Sequence, residues 1–238
     1  MAIIIDKLEL DELTQCWAVH IDRDKPEDLS KYFINSNGYF IEGYEISFNE
    51  YLELINSVGT HIFKVRFALM KSSLSTNLLF TIVLWGEDKN GNPTTGYLKL
   101  EENDARFGGK KNTPIPDVLA NERLKAWEAL KDVTTPLKRI FQLDAYGGMN
   151  LRGYNYQLDD FFDILKGLEN QKSEDISIHF KFCCLIYDFQ KNGKTQIKEP
   201  QNGYFDLMIA SSTEAYDQVL HNLFYDAGAP CPPMCGEN

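Results

Sequence analysis

Membrane-length apolar runs, an excess of basic charge and clustered metal ligands are all missing from this 238-residue chain, and each absence closes off a class of protein. No apolar stretch approaches the roughly 18 residues that a spanning helix needs, so no membrane is expected as a partner. Lys and Arg number 24 against 35 Asp and Glu, a formal charge of −11. An acidic surface repels phosphates and gains nothing from counterion release, which excludes nucleic acid as an expected partner. The four histidines, His20, His61, His179 and His221, are isolated from one another, and no cofactor is implied. Cysteine is scarce and odd in number. Of the five, two are adjacent and two lie in the last eight residues, unlike a secreted disulfide framework, so reduced thiols are expected. The N-terminal stretch has no basic region and too short an apolar run for a signal peptide, which makes the cytoplasm the expected location.

What is present is ample core material. Fifteen Phe, 12 Tyr and 3 Trp accompany a hydrophobic fraction of 43%. A chain of this length buries enough surface to fold without a disulfide or metal staple.

The most informative pattern is internal. Residues 38–58 and 148–168 align at a constant offset of 110, with Gly38, Gly43 and Tyr44 matching Gly148, Gly153 and Tyr154. Phe48, Tyr51, Leu52, Ile55 and Val58 match Leu158, Phe161, Phe162, Leu165 and Leu168. Each set falls on one helical stripe, which predicts amphipathic helices over 47–58 and 157–168 that bury the same face. Ser47 with Glu50 forms a capping box, and Gln157 with Asp160 stands in its place in the second segment. Downstream, Lys89-Asn90-Gly91 echoes Lys191-Asn192-Gly193, and Gly96-Tyr97-Leu98 echoes Gly203-Tyr204-Phe205. Asn-Gly after an alternating run signals a hairpin, because both central residues accept positive φ.

Alternation predicts strands near 60–70, 78–87 and 95–101, and again over 176–189 and 203–210. A helix through Leu119, Leu124, Trp127 and Leu130 closes the first half, and a second, capped by Ser211 and Glu214, closes the other. Residues 3–21 read as one or two strands, and 25–28 as a turn. The expected fold class is α+β: two duplicated helix–strand–strand–helix units with mainly antiparallel sheet. Their bounds are 1–132, with the N-terminal strands, and 133–238, with the C-terminal helix and tail, joined in one continuous globule.

Chemistry-bearing motifs mostly resolve into plain structure. Cys231 and Cys235 in Cys-Pro-Pro-Met-Cys are soft potential ligands, but two prolines between them hold the chain extended, and a terminal tail with few buried contacts is expected. Cys183 and Cys184 point to opposite faces of a strand. Residues 107–113 lack the glycine and the hydroxyl of a phosphate loop. Asp88, Asn90 and Asn92 imitate the start of a calcium loop, yet Pro93 and Lys99 stand where glycine and glutamate belong. The paired carboxylates Glu50 with Glu53, and Asp159 and Asp160 with Asp163, lie opposite the apolar stripes as solvated faces.

Two function classes follow. One is a non-catalytic interaction or structural protein that binds a protein partner or itself. The other is a small-ligand-binding or enzymatic α+β protein with a site between the halves, built from His61, His179, Tyr44 and Tyr154. Whether the chain is an enzyme is left open by its residues. An exposed apolar patch favours the first class and a concave site with convergent polar groups the second.

Overall fold

The computed structural model describes residues 2–23, 29–72, 77–101, 118–132, 137–143, 148–165, 168, 172–186, 190–191, 194–195, 203–213 and 229–231. The fold is α+β, with four α-helices and mostly antiparallel sheet among these residues. The first elements are β1 (Ala2–Ile5) and α1 (Lys7–Asp22). The reading of 3–21 as strands is thus corrected beyond Ile5. Asp6 accepts a hydrogen bond from the Glu9 amide and starts the helix, and Leu10, Leu13, Trp17 and Ile21 recur at helical rather than alternating spacing.

A 3-10 turn at Leu29–Phe33 leads to β2 (Gly43–Ser47) and α2 (Phe48–Ile55). The Ser47–Glu50 capping box forms as expected. The helix stops three residues early, so Val58 leaves the stripe and stands 95% exposed while Leu54 is buried instead. Then come β3 (Ile62–Lys71), β4 (Leu78–Glu87) and β5 (Tyr97–Leu100). Between β4 and β5 the Asp88 carboxylate accepts from the Asn90 and Asn92 amides, which makes this segment a hairpin turn.

The next elements are α3 (Val118–Ala129), a 3-10 turn at Leu137–Phe141, the ribbon β6 (Gln142–Leu143) with β7 (Met149–Asn150), and β8 (Gly153–Gln157). α4 (Leu158–Asp163) is shorter than the predicted helix; Ile164 rather than Leu165 is fully buried, and Phe162 is 42% exposed. The long β9 (Ile176–Ile186) and β12 (Gly203–Thr213) flank the ribbon β10 (Gln190–Lys191) with β11 (Lys194–Thr195), and β13 (Ala229–Cys231) comes last. Ser211 lies inside β12 and so cannot cap a helix; the helix expected after it, the turn at 25–28, the 107–113 loop, Asn192-Gly193 and Cys235 all lie outside the described residues.

The strands form a six-stranded sheet in the order β1-β5-β4-β3-β8-β13 and a three-stranded sheet in the order β12-β9-β2. Each sheet thereby holds a strand from the other end of the chain. β2 pairs with β9, and β8 with β3. The registers also repeat: Ile62 faces Glu87 and Lys71 faces Leu78, just as Ser177 faces Ser212 and Ile186 faces Gly203. Gly203 therefore stands in the place of Leu78. The expected match of Gly96-Tyr97-Leu98 to Gly203-Tyr204-Phe205 is corrected, because β5 pairs with β4 and β1 whereas β12 pairs with β9.

Hydrogen bonds recur at corresponding positions. Trp17 Nε1 donates to the Leu151 carbonyl at 3.1 Å and Trp127 Nε1 to the Ile41 carbonyl at 3.0 Å. Ile41 N–H donates to Phe33 O and Leu151 N–H to Phe141 O, both at 2.7 Å. Gly43 and Gly153 share positive φ values of 151° and 154°. At Gly153 an added Cβ would lie 2.1 Å from the Val65 carbonyl oxygen, so only glycine fits. Tyr51 and Phe161, 110 positions apart, stack with centroids 5.8 Å apart, and the Tyr51 hydroxyl donates to the Phe161 carbonyl.

The inner faces of the two sheets meet in one aromatic cluster. Phe33 stacks on Phe80 at 4.5 Å and Phe141 on Phe205 at 4.7 Å, each with a tryptophan edge against it. Residues 229–231, where the tail begins, are not loose. β13 pairs with β8, and Cys231 is buried and disulfide-bonded, which corrects the expectation of reduced thiols at that position; Cys16, Cys183 and Cys184 are free.

Candidate functional site

The four residues expected to form a shared site do not share one pocket. Tyr44 and Tyr154 are buried in the core, where the Tyr44 hydroxyl donates to the Phe80 carbonyl and the Tyr154 hydroxyl to the Phe205 carbonyl at 2.6 Å. Each joins the two sheets from a corresponding position. Desolvation holds the Tyr154 hydroxyl well above its ordinary pKa, so it stays a donor. His61 is exposed at the start of β3 and uses its backbone amide to reach Glu87 O.

His179 lies on the other sheet, in β9. By register its counterpart is Lys64, not His61. Alternation turns Ile178, Phe180, Phe182 and Cys184 inward and leaves Ser177, His179, Lys181 and Cys183 on the outer face. His179 faces Glu45 across the β2–β9 pair, with Nδ1 3.9 Å from its carboxylate, and shares a 2.5 Å hydrogen bond through Nε2 with the Ser212 hydroxyl. Ser177 donates to Glu45 at 2.5 Å. The group resembles a serine–histidine–carboxylate relay in composition. Its electrostatics oppose that chemistry: burial, aided by Lys181, lowers the His179 pKa to about 3, far from the range in which an imidazole serves as general base near neutrality. On the first sheet the corresponding positions hold the Lys64–Glu87 ion pair at 2.7 Å, so the His179–Ser212 pair fills the same place with neutral groups. The Cys184 thiol is likewise pushed up by burial, away from thiolate chemistry.

Two concave features border this outer face. One is an open groove of about 490 Å³ where β2 enters α2, with Glu45, Phe48, Glu50, Glu174 and Ile176 among its walls. Glu50 is engaged twice, by Ser47 and by the Ala2 amide at 2.9 Å, which ties β1 to the groove rim. The other is a cleft of about 150 Å³ between α3 and the β2–β9 pair. It gathers Glu42, Lys125, Glu128 and Lys181 against Trp127 and Phe182. Glu42 is raised by burial first and by Glu128 second; Lys181 is lowered by burial against the pull of both carboxylates. Sequence reading passed over Glu42 and Lys181. Lys181 was legible as an outward residue of an alternating strand, but nothing local tied it to Glu42 and Glu128.

Among the described residues no group of three or more His, Cys, Asp or Glu side chains is arranged to hold a metal, and no helix is long and apolar enough to cross a membrane. Comparison with protein-family models, with curated proteins and with solved structures finds no match.

Proposed function

We propose that the chain is a non-catalytic interaction protein made of two copies of one unit, and that it takes up another polypeptide along β1. The observation that carries the reading is the edge itself. Among the described residues β1 is the terminal strand of its sheet, it contains no charge, and Ile4 and, just beyond it, Leu8 are 66% and 68% exposed. Edge strands are normally blunted by charge, proline or a bulge, and the opposite edge, β13, carries Pro230. An apolar edge with no charge or proline, short and held at its first amide by Glu50, suits addition of a short strand, in which backbone hydrogen bonds supply affinity and side chains specificity. Photo-crosslinking from position 4 in cells tests this. A discrete protein adduct that Ile3→Lys abolishes is the expected result, and no adduct from position 4 when a buried-site control is equally silent would end the proposal.

The duplication is part of the same proposal. The unit that fits the repeated registers and hydrogen bonds opens with a helix: α1, the Leu29–Phe33 turn, β2, α2, β3 and β4, then α3, the Leu137–Phe141 turn, β8, α4, β9 and β12. On this division α3 begins the second unit instead of ending the first. Since each unit lends a strand to the other, separately expressed pieces 1–110 and 111–238 are expected to fold together and not alone.

A second reading, a small-ligand protein with its site between the halves, is favoured by one observation. The 150 Å³ cleft brings β2 of the first unit against α3 and β9 with convergent charges of both signs.

A further inference from the structure

We propose that the polypeptide taken up along β1 is basic at the end that passes Ala2, with a lysine or arginine side chain seated by Glu45 and Glu174 in the groove where β2 enters α2. This rests on the strand-addition reading and names the chemistry of the partner.

The edge and the groove adjoin. β1 reaches the groove at its first residue, where the Ala2 amide donates to Glu50 at 2.9 Å and Glu50 forms part of the groove wall. A strand laid beside β1 passes this opening at one of its ends. The groove carries charge of one sign: Glu45, Glu50 and Glu174 line it, and among the described residues no lysine, arginine or histidine does.

Glu50 is committed to the Ser47 cap and to β1, so a partner meets chiefly the other two. Glu174 is exposed, and the Glu45 side chain, 31% exposed, accepts from the Ser177 hydroxyl. A hydroxyl orders a carboxylate and leaves its charge in place. His179, 3.9 Å from Glu45, leaves it too, because burial keeps the imidazole neutral near pH 7. A concave wall of one sign focuses its field on whatever enters, which here selects a cation. Phe48 and Ile176 add apolar surface for a long methylene stem, and a volume of about 490 Å³ leaves its charged head partly hydrated.

The same charges disfavour a second copy of this chain as the occupant. Antiparallel self-pairing of β1 runs the copy's next residue, Asp6, toward Ala2 and Glu50, and like charges brought together across a ladder destabilise it. A strand with a basic flank meets attraction where the copy meets repulsion.

Selection of random phage-displayed peptides on the full chain tests this, with the most enriched sequence then made as a fluorescent peptide and its affinity read by anisotropy. The expected peptide has a short alternating apolar run with Lys or Arg at one end. Exchanging that residue for Gln should weaken binding at least about tenfold, as should Glu45→Gln combined with Glu174→Gln, in which the Ser177 hydroxyl keeps its acceptor. Ile3→Lys should abolish binding. Peptides that depend on Ile3 but have neutral or acidic ends, or basic ones indifferent to the two Gln changes, overturn the basic-flank assignment and leave strand addition standing. Binding indifferent to Ile3→Lys, or no enrichment on the folded chain, overturns both.

Discussion

Around Trp17 and around Trp127 the interior is nearly the same and the surface is not. The two indoles meet Phe80 and Phe205 at 5.1 Å and 75° and at 5.3 Å and 76°, and they donate to corresponding carbonyls. Outside, the first region sets Arg152 against Asp22, whereas the second sets Lys181 against Glu42 and Glu128 in a cleft beside α3. Likewise Lys64–Glu87 on one outer face stands where His179–Ser212 stands on the other. Interior aromatics must fill a fixed volume at close-packed density, so either tryptophan has little room to change. The Asp22–Arg152 pair is half-exposed and can be exchanged at small cost, whereas the Lys64–Glu87 pair is buried and can be replaced only by a set of groups that is itself satisfied.

The comparison can be broken most forcefully at its centre. Trp17→Ala and Trp127→Ala should each cost about 3–5 kcal/mol in urea denaturation, and by similar amounts, because both remove a fully buried ring and its hydrogen bond. A difference larger than about 2 kcal/mol would mean that the two cores are not equivalent in energy, only in shape.

The outer pairs should behave unequally. Glu87→Ala strands the Lys64 ammonium and the Trp85 indole N–H in a buried place and should cost about 3 kcal/mol, while Ser212→Ala removes one hydrogen bond from a neutral imidazole and should cost about 1 kcal/mol. Equal losses would show that His179 carries charge in the native state.

Acid titration sharpens the same point. Burial holds His179 at about 3 against an ordinary 6.5, so the unfolded chain takes up a proton here that the folded chain refuses. Its contribution to stability is whole above pH 6.5 and is lost progressively as pH falls from 6.5 toward 3. His179→Gln, compared with the parent by urea midpoints across that window, should flatten the acid decline; an unchanged slope would place the proton elsewhere.

The smallest effect belongs to the exposed edge. Ile4→Lys should change stability by no more than about 0.5 kcal/mol, since the side chain is already in solvent. A larger loss would make Ile4 part of the fold rather than part of a contact surface.

Much of the fold was legible residue by residue. Ser47 and Glu50 announced α2, Asn90-Gly91 announced its hairpin, and alternation through Phe63, Val65 and Phe67 and through Ile178, Phe180 and Phe182 sorted inner from outer faces. The misreadings have physical causes. Ahead of α1 the apolar run Ile3, Ile4 and Ile5 carries a strand signal up to the Asp6 cap, where the helix begins, and β13 carries no local signal of order because its order comes from a partner more than 70 residues away, β8. Of the candidate site residues, Tyr44 and Tyr154 each lie in the core rather than in a shared pocket. Their reach across the core to Phe80 and Phe205 depends on two sheets packing together, which no local pattern encodes.

What the sequence by itself determined is therefore local: helix caps, turn glycines, which side of each strand is apolar, and the recurrence of one pattern at a spacing of 110. These depend on interactions between near neighbours, whose geometry the chain fixes directly. Only the tertiary structure decided that β2 joins β9, that β8 joins β3, and that Glu42, Glu128 and Lys181 meet in one cleft. A period of two residues tells a strand which face to bury and says nothing about which strand lies beside it; that choice falls to the packing of the whole core.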